Sequence, residues 1–386
     1  MNTKFASYRS PWDSEELESF RASVRRFFET EVVPHAEKWE QQQYVDRSVW
    51  KKAGELGMLC VSVPEEDGGH GGSFLHEAVI IEEQVRAGDT SFGVVLANMG
   101  VPIFLHAATP EQRRHWIPRL TSGESVFAFA LSEPGAGSDA KAIRTTARRD
   151  GDDYVLDGSK TFISNGYNGD VVLVAARTSN HEDPSKGISL FIVDTNGLAG
   201  YSVGRILKKV GQKGQDTAEL FFDNVRVPAA NLVGGEEGRG FVQLMNGLRT
   251  ERVVLGLIGV AAAERAISLT TDHVKARKVF GKTLWDLQNT RFKLAEAQTQ
   301  TYVARLFIDH CIQLVMEDRL ERTHAAMCKW WNTELQNKVI DECLQLHGGY
   351  GYMVEYPIAR MWTDARTQRI YGGATEIQKE IIARAM

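Results

Sequence analysis

The stretch FVQLMNGLRTERVVLGLIGVAAAERA, residues 241–266, decides the fold of this 386-residue chain. Its apolar residues recur at intervals of three or four, at Phe241, Met245, Leu248, Leu255, Ile258 and Ala262. This period predicts a helix with one buried face, from about residue 240 to about residue 279. Glu251 lies three residues after Leu248 and four before Leu255, so its carboxylate is expected to point toward the packed side. A surface glutamate paired with Arg249 or Arg252 is the ordinary alternative, because glutamate is rarely buried.

The chain around this helix divides into three parts by its pattern of apolar and polar residues. Residues 1–123 carry helical patterns, one from Ser14 with an apolar stripe to Val32, and others at 47–56, 75–86 and 109–120. Residues 124–235 carry short β-rich runs at 126–131, 144–148, 154–156, 171–177, 188–193 and 220–227. Residues 236–386 are helical again, with long patterns at 284–317 and 319–346. This order predicts an α+β fold: an N-terminal helical domain, a middle antiparallel β-barrel or sandwich domain, and a C-terminal helical bundle.

Composition sets the broad class of the protein. A hydrophobic share of 43%, a charged share of 25% and a net charge of -5 indicate a globular protein without a nucleic-acid-binding surface. No apolar run reaches the roughly 18 residues of a membrane span, and the N-terminus lacks a signal-peptide pattern, so we expect the cytoplasm. Cys60, Cys311, Cys328 and Cys343 show no zinc spacing. We expect buried thiols there and predict no metal site.

Two glycine motifs imitate nucleotide-binding sites. GAGSDA, residues 135–140, matches a loose dinucleotide-binding fingerprint, but a strand and a tight turn follow it where that site needs a helix. FGKT, residues 280–283, matches the end of a phosphate-binding loop, but Ala276 stands where the first glycine belongs and a helix precedes it. We therefore predict neither site.

The loop from Phe129 to Asp139 offers a different chemistry. Two glycines leave its backbone amides accessible, and Ser132 and Ser138 add hydroxyls at the exit of a strand. Such a loop can approach a flat polar ring or a phosphate closely. A plain β-turn is the alternative, because glycines serve turns first.

Six stretches of the chain together resemble one protein family. They are FALSEPGAGSD (129–139), KTFISNG (160–166), AELFFDNVRVP (218–228), RKVFGKTL (277–284), QLHGGYGY (345–352) and IYGGATEI (370–377). In this order they are similar, over essentially the whole chain, to the acyl-CoA dehydrogenase flavoproteins. The resemblance implies FAD, held between the β domain and the C-terminal helices, and a homotetramer built as a dimer of dimers.

The resemblance also assigns cofactor contacts, position by position. In the β domain they are Phe129, Leu131, Ser132, Gly137, Ser138, Phe162 and Ser164. Phe162 replaces the family's usual tryptophan against the flavin, and a phenyl ring can stack there as well. In the C-terminal region, Arg277 would bind the FAD diphosphate, Phe280 and Gln288 would flank the adenosine, and Gln345, Gly348 and Gly349 would come from the partner subunit. Ala374 replaces a threonine near the flavin, and Thr375 and Glu376 are the remaining predicted contacts.

The catalytic base is where members of this family differ. Many carry a glutamate in a Tyr-Glu-Gly-Thr stretch, and Gly372 occupies that position here. Long-chain and isovaleryl members take the base from a Glu-Arg pair on the earlier helix, which Glu251 and Arg252 match. The resemblance therefore implies that Glu251 removes the α-proton of an acyl-CoA, that flavin N5 accepts the β-hydride, and that a trans-2-enoyl-CoA forms. The backbone N–H of Gly372 and a flavin ribityl hydroxyl would polarise the thioester carbonyl.

The predicted substrate contacts are Ser138, Arg249, Arg252 and Tyr371. Arg249 stands where many relatives have an aspartate that binds pantetheine, so it could reach a phosphate or indicate another thiol carrier. Gly372 and Gly373 leave space that suits a medium, long or branched acyl chain. An electron-transfer flavoprotein is the acceptor that the resemblance implies. The alternatives are an oxidase, an enzyme acting on a carrier-protein thioester, and a non-enzymatic acyl-CoA-binding scaffold.

Overall fold

The computed structural model describes residues 8–386, which form two compact units. One unit comprises the described residues 8–29, Phe74–Asp89 and Arg249–Met386, and the other comprises Thr30–Ser73 and Thr90–Leu248. The helices are α1 (Glu15–Phe27), α2 (Ala36–Gln42), α3 (Arg47–Glu55), α4 (Phe74–Ala87), α5 (Val94–Ala107), α6 (Pro110–Thr121), α7 (Gly240–Ala276), α8 (Gln288–Met316), α9 (Arg322–His347), α10 (Pro357–Ala365) and α11 (Thr375–Ala383). The strands are β1 (Phe127–Ala130), β2 (Thr146–Asp150), β3 (Asp153–Ser164), β4 (Val171–Arg177), β5 (Ile188–Asp194), β6 (Tyr201–Ile206), β7 (Thr217–Pro228), β8 (Lys278–Val279) and β9 (Lys282–Thr283).

The predicted order of helices, strands and helices is confirmed. Ser14 caps α1 by accepting a hydrogen bond from the Leu17 amide at 3.2 Å, as its position before two glutamates indicated. The apolar stripe does not continue α1 to Val32, however, because a π-helical turn covers Phe28–Val32. The predicted domain boundaries at residues 123 and 235 stay a prediction. In the structure, α1 and α4 belong to the same compact unit as the C-terminal helices.

The β-rich region forms one seven-stranded sheet. Six of its strands follow the order β1-β4-β2-β3-β7-β6, and the seventh, β5, also pairs with β4. Most of its pairs are antiparallel, as predicted, but β4 runs parallel to β1, with Phe127 opposite Val171, and to β2, with Thr146 opposite Arg177. The prediction of an antiparallel domain was wrong at these two pairs. A parallel pair needs a long crossover, and the chain between β1 and β4 includes both β2 and β3.

Strand β4 is buried on both faces, because its alternate residues enter two different cores. Val171, Leu173 and Ala175 pack with residues of α5 and α6, including Phe104 and Ile117. The intervening residues pack with the inner faces of β3, β5 and β7. Alternation in a strand places neighbours on opposite faces, so a continuous apolar run such as this one marks a strand with no solvent side.

Helix α7 lies very close to α9. A Cβ atom added to Gly256 would lie 2.5 Å from the Cys328 Sγ, and one added to Gly259 would lie 2.8 Å from the Asn332 carbonyl oxygen. Every residue from Arg252 to Leu257 is buried, so the prediction of a single buried face was wrong for the middle of this helix. This close approach places the middle of α7 beside the first half of α9.

Three further features bear on the sequence predictions. Among the described residues, α7 alone is long and apolar enough to cross a membrane, and 72% of its most apolar window is buried, as in a core helix. All four cysteines are free and buried, as predicted. Within residues 8–386, no group of three or more His, Cys, Asp or Glu side chains could hold a metal ion.

Candidate active site

Glu251 and Gly372 are neighbours in the structure, although 120 residues separate them in the chain. A Cβ atom built on Gly372 would lie 3.2 Å from the Glu251 Oε1 and 2.3 Å from the Leu255 Cδ1. A glutamate at position 372 would therefore begin where the Glu251 carboxylate already is. The resemblance offers positions 251 and 372 for the catalytic base, and these two positions are adjacent in the structure.

The environment of Glu251 favours its uncharged form. Burial raises the pKa of the Glu251 carboxyl, and the positive charges of Arg252 and Lys329 only partly offset this. In the part of the chain that the structure describes, no side chain or amide donates a hydrogen bond to this carboxylate. A carboxylate with a raised pKa and free lone pairs has the properties of a general base.

The turn at Gly372 and Gly373 is held by two buried side chains that the sequence analysis did not select. The Lys329 Nζ donates to the Gly373 carbonyl at 2.5 Å, and the Gln378 Nε2 donates to the carbonyls of Gly373 at 2.9 Å and Gly372 at 3.2 Å. Both glycines have positive φ, +64° and +85°, which favours glycine. The Gly372 N–H has no partner within residues 8–386 and remains able to donate.

The predicted substrate residues around Glu251 are only partly brought together. Arg252 is buried, and its Nε has no hydrogen-bond partner among the described residues, while burial lowers the pKa of its guanidinium. Arg249 is exposed, and its Nη1 contacts the Leu320 carbonyl at 3.5 Å. Tyr371 is partly buried beside Gly372 in the chain. Ser138 belongs to the other compact unit.

The predicted flavin loop is fixed by a buried ion pair that the sequence analysis missed. Glu133 accepts hydrogen bonds from the Lys160 Nζ at 2.8 Å, the Thr145 amide at 3.0 Å and the Arg144 amide at 2.6 Å. Lys160 also donates to the Leu131 carbonyl at 3.1 Å. Burial opposes the charge of Glu133, but the Lys160 charge and the hydrogen bonds from Lys160, Thr145 and Arg144 together outweigh it and lower the pKa of that carboxyl. Burial lowers the pKa of Lys160 to about 8, and Glu133 opposes that shift.

Glu133 and Lys160 each lie within a stretch that carried the family resemblance, but charged residues in loops and strands are usually solvated, so no role was assigned to them. The pair connects the loop to β3 immediately before Phe162. A further hydrogen bond joins the Thr161 amide to the Ser132 carbonyl at 2.9 Å. The loop and the predicted flavin-stacking residue are thus positioned by one network.

Other predicted β-domain contacts are arranged around this network. Phe162 exposes 68% of its surface at a left-handed backbone position, with φ of +60°. An exposed ring held in a strained conformation is available for stacking on a flat ligand. Ser138 and Gly137 are exposed, Ser132 and Ser164 are partly buried, and Phe129 and Leu131 pack partly against the core.

Four predicted residues line one cavity in the unit that contains the C-terminal helices. Arg277, Gln345, Gly348 and Gly349 surround a volume of about 550 Å³ together with Tyr350, whose ring lies 5.2 Å from the Arg277 guanidinium. The sequence analysis assigned only Gln345 and the two glycines to the partner subunit. Arg277 lines the same cavity as these three residues, so a ligand bound in it would contact all four.

The remaining predicted contacts lie apart from this cavity's lining. Phe280 exposes 95% of its surface in the β8–β9 turn, and Gln288 is the exposed first residue of α8. Thr375 donates its hydroxyl to Glu334 at 2.9 Å, so that hydroxyl already has a protein acceptor, whereas Glu376 is exposed.

Each unit, taken by itself, offers groups that suit a part of a flavin dinucleotide. The 550 Å³ cavity offers a guanidinium for a diphosphate, and no atom lies within 4 Å of a Cβ built on Gly348 or Gly349, so a ligand can approach that backbone closely. Phe162 offers an exposed ring for an isoalloxazine. Arg277 would hold the diphosphate, and the 129–138 loop with Phe162 would hold the flavin ring.

Comparison with known proteins agrees with this geometry. Family models described as the N-terminal, middle and C-terminal domains of acyl-CoA dehydrogenase match residues 14–124, 128–225 and 238–386. The chain is 48% identical over 373 residues to the mitochondrial long-chain specific acyl-CoA dehydrogenase of Sus scrofa, covering 96% of this chain and 86% of that protein.

Solved structures are similar over nearly the whole chain. An acyl-CoA dehydrogenase from Geobacillus kaustophilus has a TM-score of 0.95 and 43% identity, covering 98% of this chain and 99% of that one. An acyl-CoA dehydrogenase complexed with FAD from Bacillus anthracis has a TM-score of 0.88 and 31% identity, covering 100% of this chain and 69% of that one.

Proposed function

The chain belongs to the acyl-CoA dehydrogenase family of FAD-dependent oxidoreductases, and from this premise we propose that it dehydrogenates a long-chain acyl-CoA with Glu251 as the base. The observation that carries the proposal is the position of the Glu251 Oε1, 3.2 Å from where a Cβ on Gly372 would lie. The long-chain preference is supported by the 48% identity to the Sus scrofa enzyme of that name.

The residues of this chain divide the reaction between proton removal and carbonyl polarisation. Glu251 takes the α-proton, and burial makes its carboxylate a stronger base. The free Gly372 N–H donates to the thioester carbonyl, which stabilises the negative charge that develops there as the proton leaves. FAD, when bound, supplies the hydride acceptor. Helix α7 supplies Leu255 beside the base, an apolar neighbour that excludes water.

The test is an anaerobic titration of the FAD-loaded enzyme with saturated acyl-CoAs from short to long, including branched ones. We expect long chains to bleach the oxidised flavin and Glu251→Gln to abolish the bleaching. Asp272→Asn is the matched control, because Asp272 is an exposed carboxylate on the same helix. Bleaching that survives in Glu251→Gln would refute the base assignment, and indifference of the wild type to every acyl-CoA would refute the substrate class.

The thiol carrier is the second part of the proposal. We propose that Arg249, which is exposed where relatives have an aspartate, contacts a phosphate of the CoA. The supporting observation is its exposure one helical turn before the buried Arg252, so that two guanidinium groups lie in this stretch of α7. Arg249→Asp should raise KM for acyl-CoA several-fold at low salt and leave kcat unchanged. Reduction by a carrier-protein thioester but not by acyl-CoA would favour the alternative carrier.

The acceptor, the assembly and the compartment also remain proposals. We propose an electron-transfer flavoprotein as the acceptor, a homotetramer as the assembly and the cytoplasm as the compartment. The 42% to 95% exposure of apolar side chains such as Phe280, Phe292 and Tyr350 supports burial against further subunits. Light scattering gives the assembly directly. Rapid reoxidation of the reduced enzyme by oxygen would instead favour an oxidase.

A further inference from the structure

Lys329, near the start of α9, is completely buried although lysine is among the residues least often buried. Its Nζ donates to the Gly373 carbonyl at 2.5 Å, and its Cε lies 3.7 Å from the position of a Cβ on Gly372. The ammonium therefore lies beside the turn that carries the predicted thioester-binding N–H. Burying an ammonium costs free energy, which lowers the pKa of Lys329 to about 8.

The hydrogen bonds at this turn hold its carbonyls and leave the Gly372 N–H free. Lys329 and Gln378 occupy the carbonyls of Gly372 and Gly373 from two different helices, α9 and α11. With both carbonyls held, the backbone of the two glycines is restrained on the C-terminal side of the Gly372 N–H, where their positive φ values would otherwise leave it flexible. A donor that is fixed before substrate binds stabilises a developing charge without a reorganisation cost.

Lys329 also acts on Glu251 through space. The charged groups that face Glu251 are Arg252 on its own helix and Lys329 on α9, and both favour its ionised form. Those that face Lys329 are Glu251 and Arg252 on α7, Glu334 on α9 and Glu376 on α11. Its direct hydrogen bond goes to a carbonyl instead of to Glu251, so the carboxylate feels the charge while its lone pairs stay free. When substrate excludes water, this attraction strengthens because the local dielectric constant falls.

We propose that Lys329 is a positioning residue for the α-proton transfer: through the Gly373 carbonyl it holds the backbone turn that carries the Gly372 N–H, and its charge favours the ionised form of Glu251 in the closed site. This inference rests on the proposed function. It predicts that the charge of Lys329 and its hydrogen bond have separable effects, one on the pH dependence and one on the maximal rate.

The test compares Lys329→Met, Lys329→Gln and Gln378→Met in the FAD-loaded enzyme, with kcat/KM for acyl-CoA measured from pH 5 to pH 9. Lys329→Met removes the charge and the donor, Lys329→Gln removes the charge alone, and Gln378→Met removes a donor to the same carbonyls without a charge change. We expect both Lys329 variants to move the acid limb to higher pH, by roughly one unit, because a carboxylate without its counter-charge protonates more readily. Gln378→Met should lower the plateau and leave the acid limb in place.

A purely structural lysine would give a different result. If the acid limbs of the folded Lys329 variants coincide with that of the wild type, whatever happens to the plateau, the proposal is overturned. Lys329→Gln keeps the test available if Lys329→Met does not fold, since a glutamine can still donate to the carbonyl.

A second measurement separates this inference from the proposed function. Thermal unfolding of wild type, Glu251→Gln, Lys329→Gln and the double variant does not depend on turnover. Coupled charges should give non-additive shifts in Tm at pH 7 that shrink toward pH 5, as Glu251 takes up a proton. Additive shifts at every pH would overturn the Lys329 inference even if acyl-CoA reduces the enzyme. If no acyl-CoA reduces it but the coupling is present, only the proposed function fails.

Discussion

Each compact unit contains a buried lysine close to a glutamate, but the pKa values of the two glutamates are shifted in opposite directions. In the flavin loop, Lys160 bonds directly to Glu133 at 2.8 Å, two backbone amides donate to the same carboxylate, and its pKa is lowered. In the candidate active site, Lys329 donates to a backbone carbonyl instead, Glu251 accepts no hydrogen bond within the described residues, and its pKa is raised.

The lysines themselves are alike, since burial lowers the pKa of each to about 8. The difference between the glutamates therefore comes from two causes: burial dominates at Glu251, whereas at Glu133 the Lys160 charge and the hydrogen bonds to the carboxylate together outweigh it. A carboxylate whose lone pairs are occupied is a fixed structural ion. One that feels a positive charge but keeps its lone pairs free can accept a proton from a substrate.

The largest expected effect comes from replacing each glutamate with glutamine. Glu251→Gln should lower the rate of flavin reduction by roughly 10²- to 10⁴-fold, because general-base catalysis is lost, while the folded state is retained. Glu133→Gln should instead destabilise the fold by about 3–5 kcal/mol, because it leaves Lys160 buried without its counter-charge. Stopped-flow reduction and urea unfolding of both variants measure the two effects. Equal losses of stability would show that the two carboxylates do not differ in the way the structure indicates.

The sequence could predict Glu251 but not what surrounds it. Helical spacing alone left a surface glutamate as the ordinary alternative, and the family motif with Gly372 at the usual base position favoured catalysis. Lys329 and Gln378 could not be found in this way, because a polar residue in a helix is usually exposed and only tertiary packing buries it. The turn that they hold lies some 40 residues beyond Lys329 in the chain, and no local pattern connects the two.

The same limit explains what was missed in the fold. Helix α5 was not predicted, because its residues are apolar on every side and it contains Gly100 and Pro102. A Cβ atom on Gly100 would lie 2.3 Å from the ring of Phe127 in β1, so the glycine that weakens the helical pattern is required by tertiary contact. The order of helical and β-rich regions was predictable because their periods of 3.6 and 2 residues are local properties.

Replacing one glycine by alanine in the candidate active site, and one in the flavin loop, should give a smaller difference in stability between the two variants. Gly372→Ala meets a positive φ and the Leu255 side chain at 2.3 Å, so we expect a loss of about 1–3 kcal/mol of stability and slower reduction. Gly137→Ala has no atom within 4 Å of its new Cβ and should change stability by less than about 0.5 kcal/mol. Urea unfolding compares them directly. A Gly137→Ala variant as unstable as Gly372→Ala would contradict the open flavin loop.

The smallest expected effect is on the pH dependence of stability, which should have opposite signs for Glu133 and Glu251. The folded state lowers the pKa of Glu133, so this residue stabilises the fold above its unfolded pKa near 4.5, and the contribution is lost as pH falls through the lower folded value. The folded state raises the pKa of Glu251, so its burial costs stability increasingly as pH rises through 4.5 to the raised value, and the cost remains above it. From pH 4 to pH 7, Tm of Glu251→Gln should therefore rise relative to wild type, and Tm of Glu133→Gln should fall. At this chain length each kcal/mol shifts Tm by only roughly 1 °C, so the test rests on the opposite signs of the two differences. Parallel differences would mean that the free lone pairs of Glu251 do not distinguish it from the paired Glu133.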